Sequence, residues 1–246
     1  KVAIYEMMMS GVTTTTDMLY LHPKGRSEFI DSEIEAARST GVRFHPTRGS
    51  MSLSKKDGGL PPDSVVQSER EIIEDSVRLI EKYHDRGKNA MLRIALAPCS
   101  PFSVTEESMI RTAELAEEFD VLLHTHLAET RDEDDFCIQK KGLRPVEFMD
   151  KVGWLNRRSW FAHLVWLSDE DIRKLSENDC GMAHCPSSNM RLGSGIARVK
   201  EMKEAGMRIS LAVDGSSSND TGNMLLEIRN ALMLQRVLKG ADALTP

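Results

Sequence analysis

The sequence predicts an α/β fold in which parallel strands alternate with helices and close as a (β/α)8 barrel of the TIM type. Seven β-rich runs alternate with amphipathic stretches along the 246 residues, without an internal repeat or linker. Repeated βα units imply a parallel sheet with helical crossovers. Chemically active residues follow nearly every run, as in a barrel whose site is assembled from many strand ends. In the alternative, an open doubly wound sheet, they would collect at one crevice.

The strand candidates are rich in β-branched and apolar residues, and most of them end in polar or turn-forming residues. They cover residues 11–19, 41–49, 90–100, 120–129, 159–166, 180–189 and 207–218. The helix candidates, several of which begin with Ser or Thr followed by acids, cover 27–41, 68–87, 105–119, 168–178 and 195–206. The one long loop-like stretch, 54–64, is interpreted either as a lid over the site or as a surface excursion.

Composition limits the class of function. Hydrophobic residues make up 40% of the chain, enough for a large core, and the net charge of −6 is spread along helical faces. We therefore expect a small-molecule substrate, with neither nucleic acid nor membrane as partner, in a cytoplasmic protein. A homo-oligomer is left open. The four cysteines lack Cys-x-x-Cys spacing, so reduced, packed thiols are favoured over a metal cluster around Cys180, His184 and Cys185.

The run "LLHTHLAET", residues 122–130, carries the most informative motif. In a strand, His124 and His126 point to the same face. Glu129 follows where the strand ends and begins an acidic stretch, residues 129–135, that is predicted to be a loop open to solvent. His163 in "FAHLVW" and Asp214 in "LAVDGSSSN" also follow strand candidates. Imidazole and carboxylate groups suit Zn²⁺, and a coordination position left for water would make the site catalytic. The group therefore predicts metal-assisted hydrolysis.

Each of these residues has a structural alternative when it is taken singly. A lone His in an apolar strand, such as His163, is often a hydrogen-bonded core residue, and an Asp before Gly, such as Asp214, often forms a turn. Arg48 in "HPTRGSMS" presents paired donors that fit a ring carbonyl, but pairing with a nearby acid is an equal alternative. These residues all lie at the ends of strand candidates, and this shared position favours a functional site over the structural alternatives.

The blocks "TTTTDMLYLHP", "HTHLAET", "FAHLVWLSDEDI" and "MAHCPSSNMRLGSGIARVKEMKEAGMRISLAVDGSSSN" resemble the amidohydrolase superfamily in content and order. The resemblance covers essentially the whole chain. It is strongest to the aminohydrolase branch that deaminates purines and triazines, especially the members acting on 8-oxoguanine. It implies one metal per site, Zn²⁺ with Fe²⁺ as the alternative. It also implies His126 and Asp214 as metal ligands, and Glu129, His163 and Asp214 as catalytic residues, with His124 a neighbour of the metal ligand.

The substrate expected from the resemblance is an oxo-purine such as 8-oxoguanine, deaminated with release of ammonia. Cys99 in "APCSPFS" lies where relatives acting on adenosine-type substrates carry a histidine, and Cys99 and Arg48 are the expected substrate contacts. Deamination of a hydroxytriazine or an adenosine-type nucleoside is the alternative, and an inactive paralogue is the non-enzymatic one. A cytidine-type deaminase is excluded, because Phe102 replaces the second cysteine of Pro-Cys-x-x-Cys.

The resemblance also has a gap. Its first strand supplies a His-x-His pair of metal ligands, and no such strand precedes "KVAIYEMMMSG". We therefore expect residues 1–246 to form a partial catalytic barrel domain that lacks its first strand and its C-terminal end. A small β-sandwich domain is expected outside the segment, and the segment alone is expected to be inactive.

Overall fold

The structure is a computed structural model and describes residues 1–23 and 25–244. The chain divides into two compact units, which are described separately. Residues 1–8 and 12–125 form the first unit, and residues 9–11 with the chain from 126 onward form the second. Among the described residues, no helix combines the length and apolar character needed to cross a membrane.

The strands of the first unit are parallel neighbours in chain order. They are β1 (Thr14–Leu19), β2 (Arg43–Ser50), β3 (Ala95–Pro98) and the beginning of β4 (Leu122–Leu127). Thr14 of β1 pairs with Arg43 of β2, and Ala95 of β3 pairs with Leu122 of β4. β3 is buried along its whole length. A strand buried on both faces is expected in a parallel sheet that is covered by helices.

Helices alternate with these strands. They are α1 (Val2–Met9), α2 (Phe29–Thr40), α3 (Glu69–Tyr83) and α4 (Glu106–Phe119). In α2, Ile30 and Ile34 lie one turn apart and are both buried, so this face supplies core packing. The helix ends at Gly41, whose φ of 79° suits glycine. α3 begins with a capping box between Ser68 and Glu71, as the Ser-Glu pattern predicts.

The second unit continues the βα order. Its strands are β5 (Ser159–His163), β6 (Gly181–His184) and β7 (Arg208–Leu211), paired in parallel through Trp160 with Gly181 and through Gly181 with Arg208. Its helices are α5 (Arg131–Lys141), α6 (Pro145–Lys151), α7 (Asp169–Glu177), α8 (Pro186–Leu192), α9 (Val199–Glu204), α10 (Ser216–Asn219) and α11 (Met224–Lys239).

Three sequence-based predictions need correction in detail. The strand runs 180–189 and 207–218 are too long, because α8 and α10 occupy their C-terminal parts. Pro186 opens α8, and proline is well suited to the first helical position. The acidic stretch after His126, predicted as a loop, is largely α5. The stretch 54–64 contains two short 3₁₀ turns, Lys55–Asp57 and Asp63–Val65, and its role as a lid stays a prediction.

Candidate active site

Four residues predicted from the sequence lie together in the second unit. His126 is the penultimate residue of β4, and His163 is the last residue of β5. Glu129 lies in the turn between β4 and α5, and Asp214 lies three residues after the end of β7. Each residue therefore lies at the carboxyl end of a parallel strand or in the turn that follows it, the position where βα proteins place reactive groups.

The two histidines and Glu129 are in close contact. The rings of His126 and His163 are stacked, with 5.4 Å between their centroids and 16° between their planes. His163 Nε2 lies 3.6 Å from Glu129 Oε2. The His163 side chain is only 1% exposed, whereas that of Glu129 is 20% exposed. Glu129 is thus the more accessible member of the pair, and it lies beside the buried His163 ring.

Asn189 in α8 fixes the orientation of His163. His163 Nδ1 and Asn189 Oδ1 are 2.9 Å apart, and an amide oxygen only accepts hydrogen bonds, so Nδ1 carries the hydrogen. Burial, with a further contribution from His126, lowers the pKa of His163. The ring is therefore neutral at pH 7, and Nε2 faces Glu129 as an acceptor.

Asp214 is held by two serine hydroxyls. Its Oδ2 accepts hydrogen bonds from Ser188 Oγ at 2.5 Å and from Ser218 Oγ at 3.1 Å. Burial acts to raise the pKa of Asp214, but the Ser188 hydrogen bond and the electrostatic interaction with the imidazoles of His163 and His126 outweigh burial and lower it. Asp214 has a φ of 61°, so it also forms the turn that its Asp-Gly sequence suggested. Its carboxylate is ionised and held in one orientation.

The donor set fits part of a metal site. His126 and Asp214 supply an imidazole and a carboxylate, the ligand types found in catalytic zinc sites. His184, at the end of β6, is a further buried imidazole whose ring nitrogens have no hydrogen-bond partner, and burial lowers its pKa to about 4. Within residues 1–23 and 25–244, however, no group of three or more His, Cys, Asp or Glu side chains is arranged to hold a metal.

Sequence reasoning missed the residues that support this cluster. Ser188 and Ser194 bind Asp214 and Glu129 respectively, with Ser194 Oγ 3.2 Å from Glu129 Oε1. Glu133, assigned to an acidic loop, is a fully buried residue of α5. Only Glu133 left a recognisable pattern in the sequence, because Thr130 three residues before it matches a capping box.

Arg48 and Cys99 belong to the first unit. The Arg48 side chain is buried in the protein: its Nε donates to Asp75 Oδ2 at 2.7 Å, and its other nitrogens donate to Gln67 Oε1 at 2.9 Å and to the Gly49 carbonyl. Arg48 thus pairs with a nearby acid, Asp75, as its structural alternative in the sequence analysis expected. Cys99 is 8% exposed and follows β3. Contact of either residue with a substrate stays a prediction.

A cleft of about 410 Å³ in the second unit lies away from this cluster. It is lined by α7, α9 and neighbouring residues, including Asp169, Arg173, Arg198 and Glu201. Arg198 pairs with both acids of this set, with Asp169 at 2.6 Å and with Glu201 at 3.6 Å. The cleft contains none of the predicted site residues, so the site is defined by the cluster of side chains.

Comparison with known proteins decides the family. The model of the amidohydrolase family matches residues 1–246. The chain belongs to the amidohydrolase family. The chain is 54% identical over 246 residues to the 8-oxoguanine deaminase of Pseudomonas aeruginosa, covering 100% of the chain and 55% of that relative. It is 32% identical over 246 residues to hydroxydechloroatrazine ethylaminohydrolase of Pseudomonas sp. strain ADP, covering 50% of that protein.

Solved structures agree with the family assignment. The chain superposes with a TM-score of 0.94 and 33% identity on an atrazine chlorohydrolase from Arthrobacter aurescens TC1 complexed with zinc. The match covers 97% of this chain and 52% of that structure. The chain thus spans about half the length of the relatives it matches. The predicted α/β fold of the TIM-barrel class and the predicted superfamily are confirmed.

Proposed function

We propose that the protein containing this chain is a metal-dependent aminohydrolase that deaminates an oxo-purine such as 8-oxoguanine and releases ammonia. The cluster of His126, Glu129, His163 and Asp214 supports the reaction type, because it combines metal-ligand chemistry with groups able to move protons. The substrate class is supported by the 54% identity to 8-oxoguanine deaminase over the whole chain.

We assign His126 and Asp214 as ligands of one metal ion, Zn²⁺, with Fe²⁺ as the alternative. When bound, zinc would lower the pKa of a coordinated water toward neutrality. The ionised state of Asp214 suits both a ligand and a base. The zinc complex of a solved relative with a TM-score of 0.94 supports the choice of ion.

Glu129 is the proton carrier in this proposal, because its carboxylate lies 3.6 Å from the buried His163 ring and is itself 20% exposed. It takes a proton from the attacking water and delivers it to the leaving amine. Neutral His163 accepts a hydrogen bond at Nε2, so it orients the water.

Arg48 and Cys99 are the proposed substrate contacts. Arg48 would have to reach a ring carbonyl while it also binds Asp75 and Gln67. An aminated triazine is the alternative substrate, favoured by the match to hydroxydechloroatrazine ethylaminohydrolase. A nucleoside is a further alternative, favoured by 33% identity to 5'-deoxyadenosine deaminase of Methanothrix thermoacetophila. The rates of ammonia release from 8-oxoguanine, guanine, a hydroxytriazine and 5'-deoxyadenosine rank these candidate substrates. The fastest release from the nucleoside would contradict the proposal.

Three variants of the complete gene product test the roles. His126→Ala should lose zinc and activity together, because removing a ligand weakens the whole site. Glu129→Gln should keep its zinc while turnover falls by roughly 10²-fold or more, because the amide cannot accept the proton. His124→Asn is the control and should keep much of both. Elemental analysis and ammonia release are the measurements. Loss of zinc from Glu129→Gln with retention in His126→Ala would reverse the assignment.

A further inference from the structure

Glu133 is a buried carboxylate that the proposed reaction does not use. It lies in the first turn of α5 and is 2% exposed. Its Oε1 accepts the backbone N–H of Ala128 at 2.9 Å, and its Oε2 accepts the backbone N–H of Glu129 at 3.0 Å. One rigid planar group therefore binds two successive peptides. This fixes the direction in which the Glu129 side chain leaves the backbone.

The Ala128 peptide connects this turn to the turn that follows β5. The Ala128 carbonyl accepts hydrogen bonds from the backbone N–H groups of Val165 and Trp166, both at 2.9 Å. Leu127 O accepts the N–H of Leu164 at 3.1 Å in the same way. The two turns, one carrying Glu129 and the other following His163, are thus joined through consecutive backbone groups.

Both turns adopt conformations that non-glycine residues avoid. Ala128 has a φ of 52°, His163 of 76° and Leu164 of 47°. Such left-handed residues persist where surrounding contacts hold them in place. The carboxylate of Glu133 is the side-chain group that binds the first of these turns from the α5 side.

The far end of Glu129 has a separate contact. Ser194 Oγ lies 3.2 Å from Glu129 Oε1, and Trp166 Nε1 donates to the Ser194 carbonyl at 2.9 Å. Trp166 belongs to the turn that is hydrogen-bonded to Ala128. The backbone of Glu129 and its carboxylate are therefore both tied to the same pair of turns. Its distance of 3.6 Å to His163 depends on that geometry.

We propose that Glu133 is a positioning residue that holds the Glu129 carboxylate beside the His163 ring by binding the backbone N–H groups of Ala128 and Glu129. The proposal rests on the proposed function of Glu129 as the proton carrier. A carboxylate suits the task, because each of its oxygens accepts one N–H. An amide at this position would accept one N–H and direct its own NH₂ group against the other.

The test is Glu133→Gln in the complete, metal-loaded gene product. We expect kcat to fall by roughly 10- to 100-fold, the scale of a displaced catalytic group, with KM and zinc content unchanged. In a Glu129→Gln background the same change should have almost no further effect on kcat, because a residue acting through Glu129 has nothing left to position. Glu133→Asp, which keeps both oxygens on a shorter side chain, should retain more kcat than Glu133→Gln.

Asp171→Asn is the matched control. Asp171 is also a buried acid in the first helical turn, in α7, where its Oδ2 accepts the N–H of Ser168 at 2.8 Å. This variant should lose stability and keep kcat. Equal loss of kcat in Asp171→Asn, or full additivity of Glu133→Gln with Glu129→Gln, would overturn the positioning role, as would unchanged kcat in Glu133→Gln. If Glu129→Gln alone keeps wild-type kcat, the proposed function of Glu129 fails instead.

Discussion

Removing either member of the buried Arg48–Asp75 ion pair should lower the unfolding free energy by about 2–5 kcal/mol, and removing both should cost about 2 kcal/mol less than the sum of the two losses. The two side chains are 0% and 8% exposed and 2.7 Å apart. Burial lowers the pKa of Arg48, and the carboxylate of Asp75 opposes that shift. A buried pair broken on one side leaves an uncompensated charge, which typically costs about 3–5 kcal/mol.

The remaining partners set the order of the two single variants. Asp75→Asn leaves the Arg48 guanidinium with the neutral acceptors Gln67 and Gly49 O, so the full cost of about 3–5 kcal/mol is expected. Arg48→Met leaves Asp75 paired with Arg78 at 2.8 Å, and the loss should be nearer 2 kcal/mol, mainly from unsatisfied acceptors. The double variant buries no charge at this position, so we expect a coupling energy of about 2 kcal/mol.

Urea unfolding of the complete gene product gives the four free energies of the cycle. The exposed Arg70–Glu74 pair, with side chains 84% and 63% exposed, is the control and should show no measurable coupling. Additive losses at Arg48 and Asp75 would refute the argument. The same variants test the substrate role of Arg48: a KM that rises in Arg48→Met but not in Asp75→Asn would support direct contact with the substrate.

Two further predictions concern titratable groups of the site. Burial raises the pKa of Glu133 to about 7, so this group binds its proton more tightly in the folded state, and its contribution to stability falls as pH rises from about 4.5 to 7. The wild type should therefore lose about 2 kcal/mol relative to Glu133→Gln between pH 5 and pH 7 in urea unfolding, and an unchanged difference would contradict this. Asn189→Asp should raise the pKa of His163, because a carboxylate beside the ring favours its protonated form. The acidic limb of the kcat/KM profile should then move to higher pH. An acidic limb that does not move would show that His163 does not titrate in that step.

Most of the fold could be predicted because its periodicity is local. In the described part of the chain, six of the seven strands fall inside predicted runs and β2 extends one residue beyond its run. The helices of the first unit after α1 match their predicted spans to within a few residues. The wrong secondary-structure predictions concern residue types that favour two different structures. The acids before Cys137 were interpreted as a solvated loop, but acids also favour the first turn of a helix, and α5 begins with three of them. α11 was not predicted at all.

The site was predictable only in part, for a different reason. Strand-end position and residue type identified His126, Glu129, His163 and Asp214, which the structure brings together. Their supporting contacts are separated widely in sequence: Asn189 lies 26 residues from His163, and Ser194 lies 65 residues from Glu129. No local pattern specifies such pairs, because they depend on how βα units are stacked in space.

The left-handed conformations of Ala128, His163 and Leu164 were equally invisible in the sequence, because none of these three residues is glycine. Ala128 gives a direct measure of what the conformation costs. Its φ is 52° and its methyl group is 1% exposed. Ala128→Gly removes about 1 kcal/mol of backbone strain but also about 0.8 kcal/mol of buried methyl. The two effects nearly cancel, so the unfolding free energy should change little. Ala162→Gly in β5, which is 6% exposed and has no positive φ, should lose about 1.5 kcal/mol, because methyl burial and the backbone entropy of glycine both act against it. Equal losses in the two variants would show that the turn holding Glu129 stores no strain.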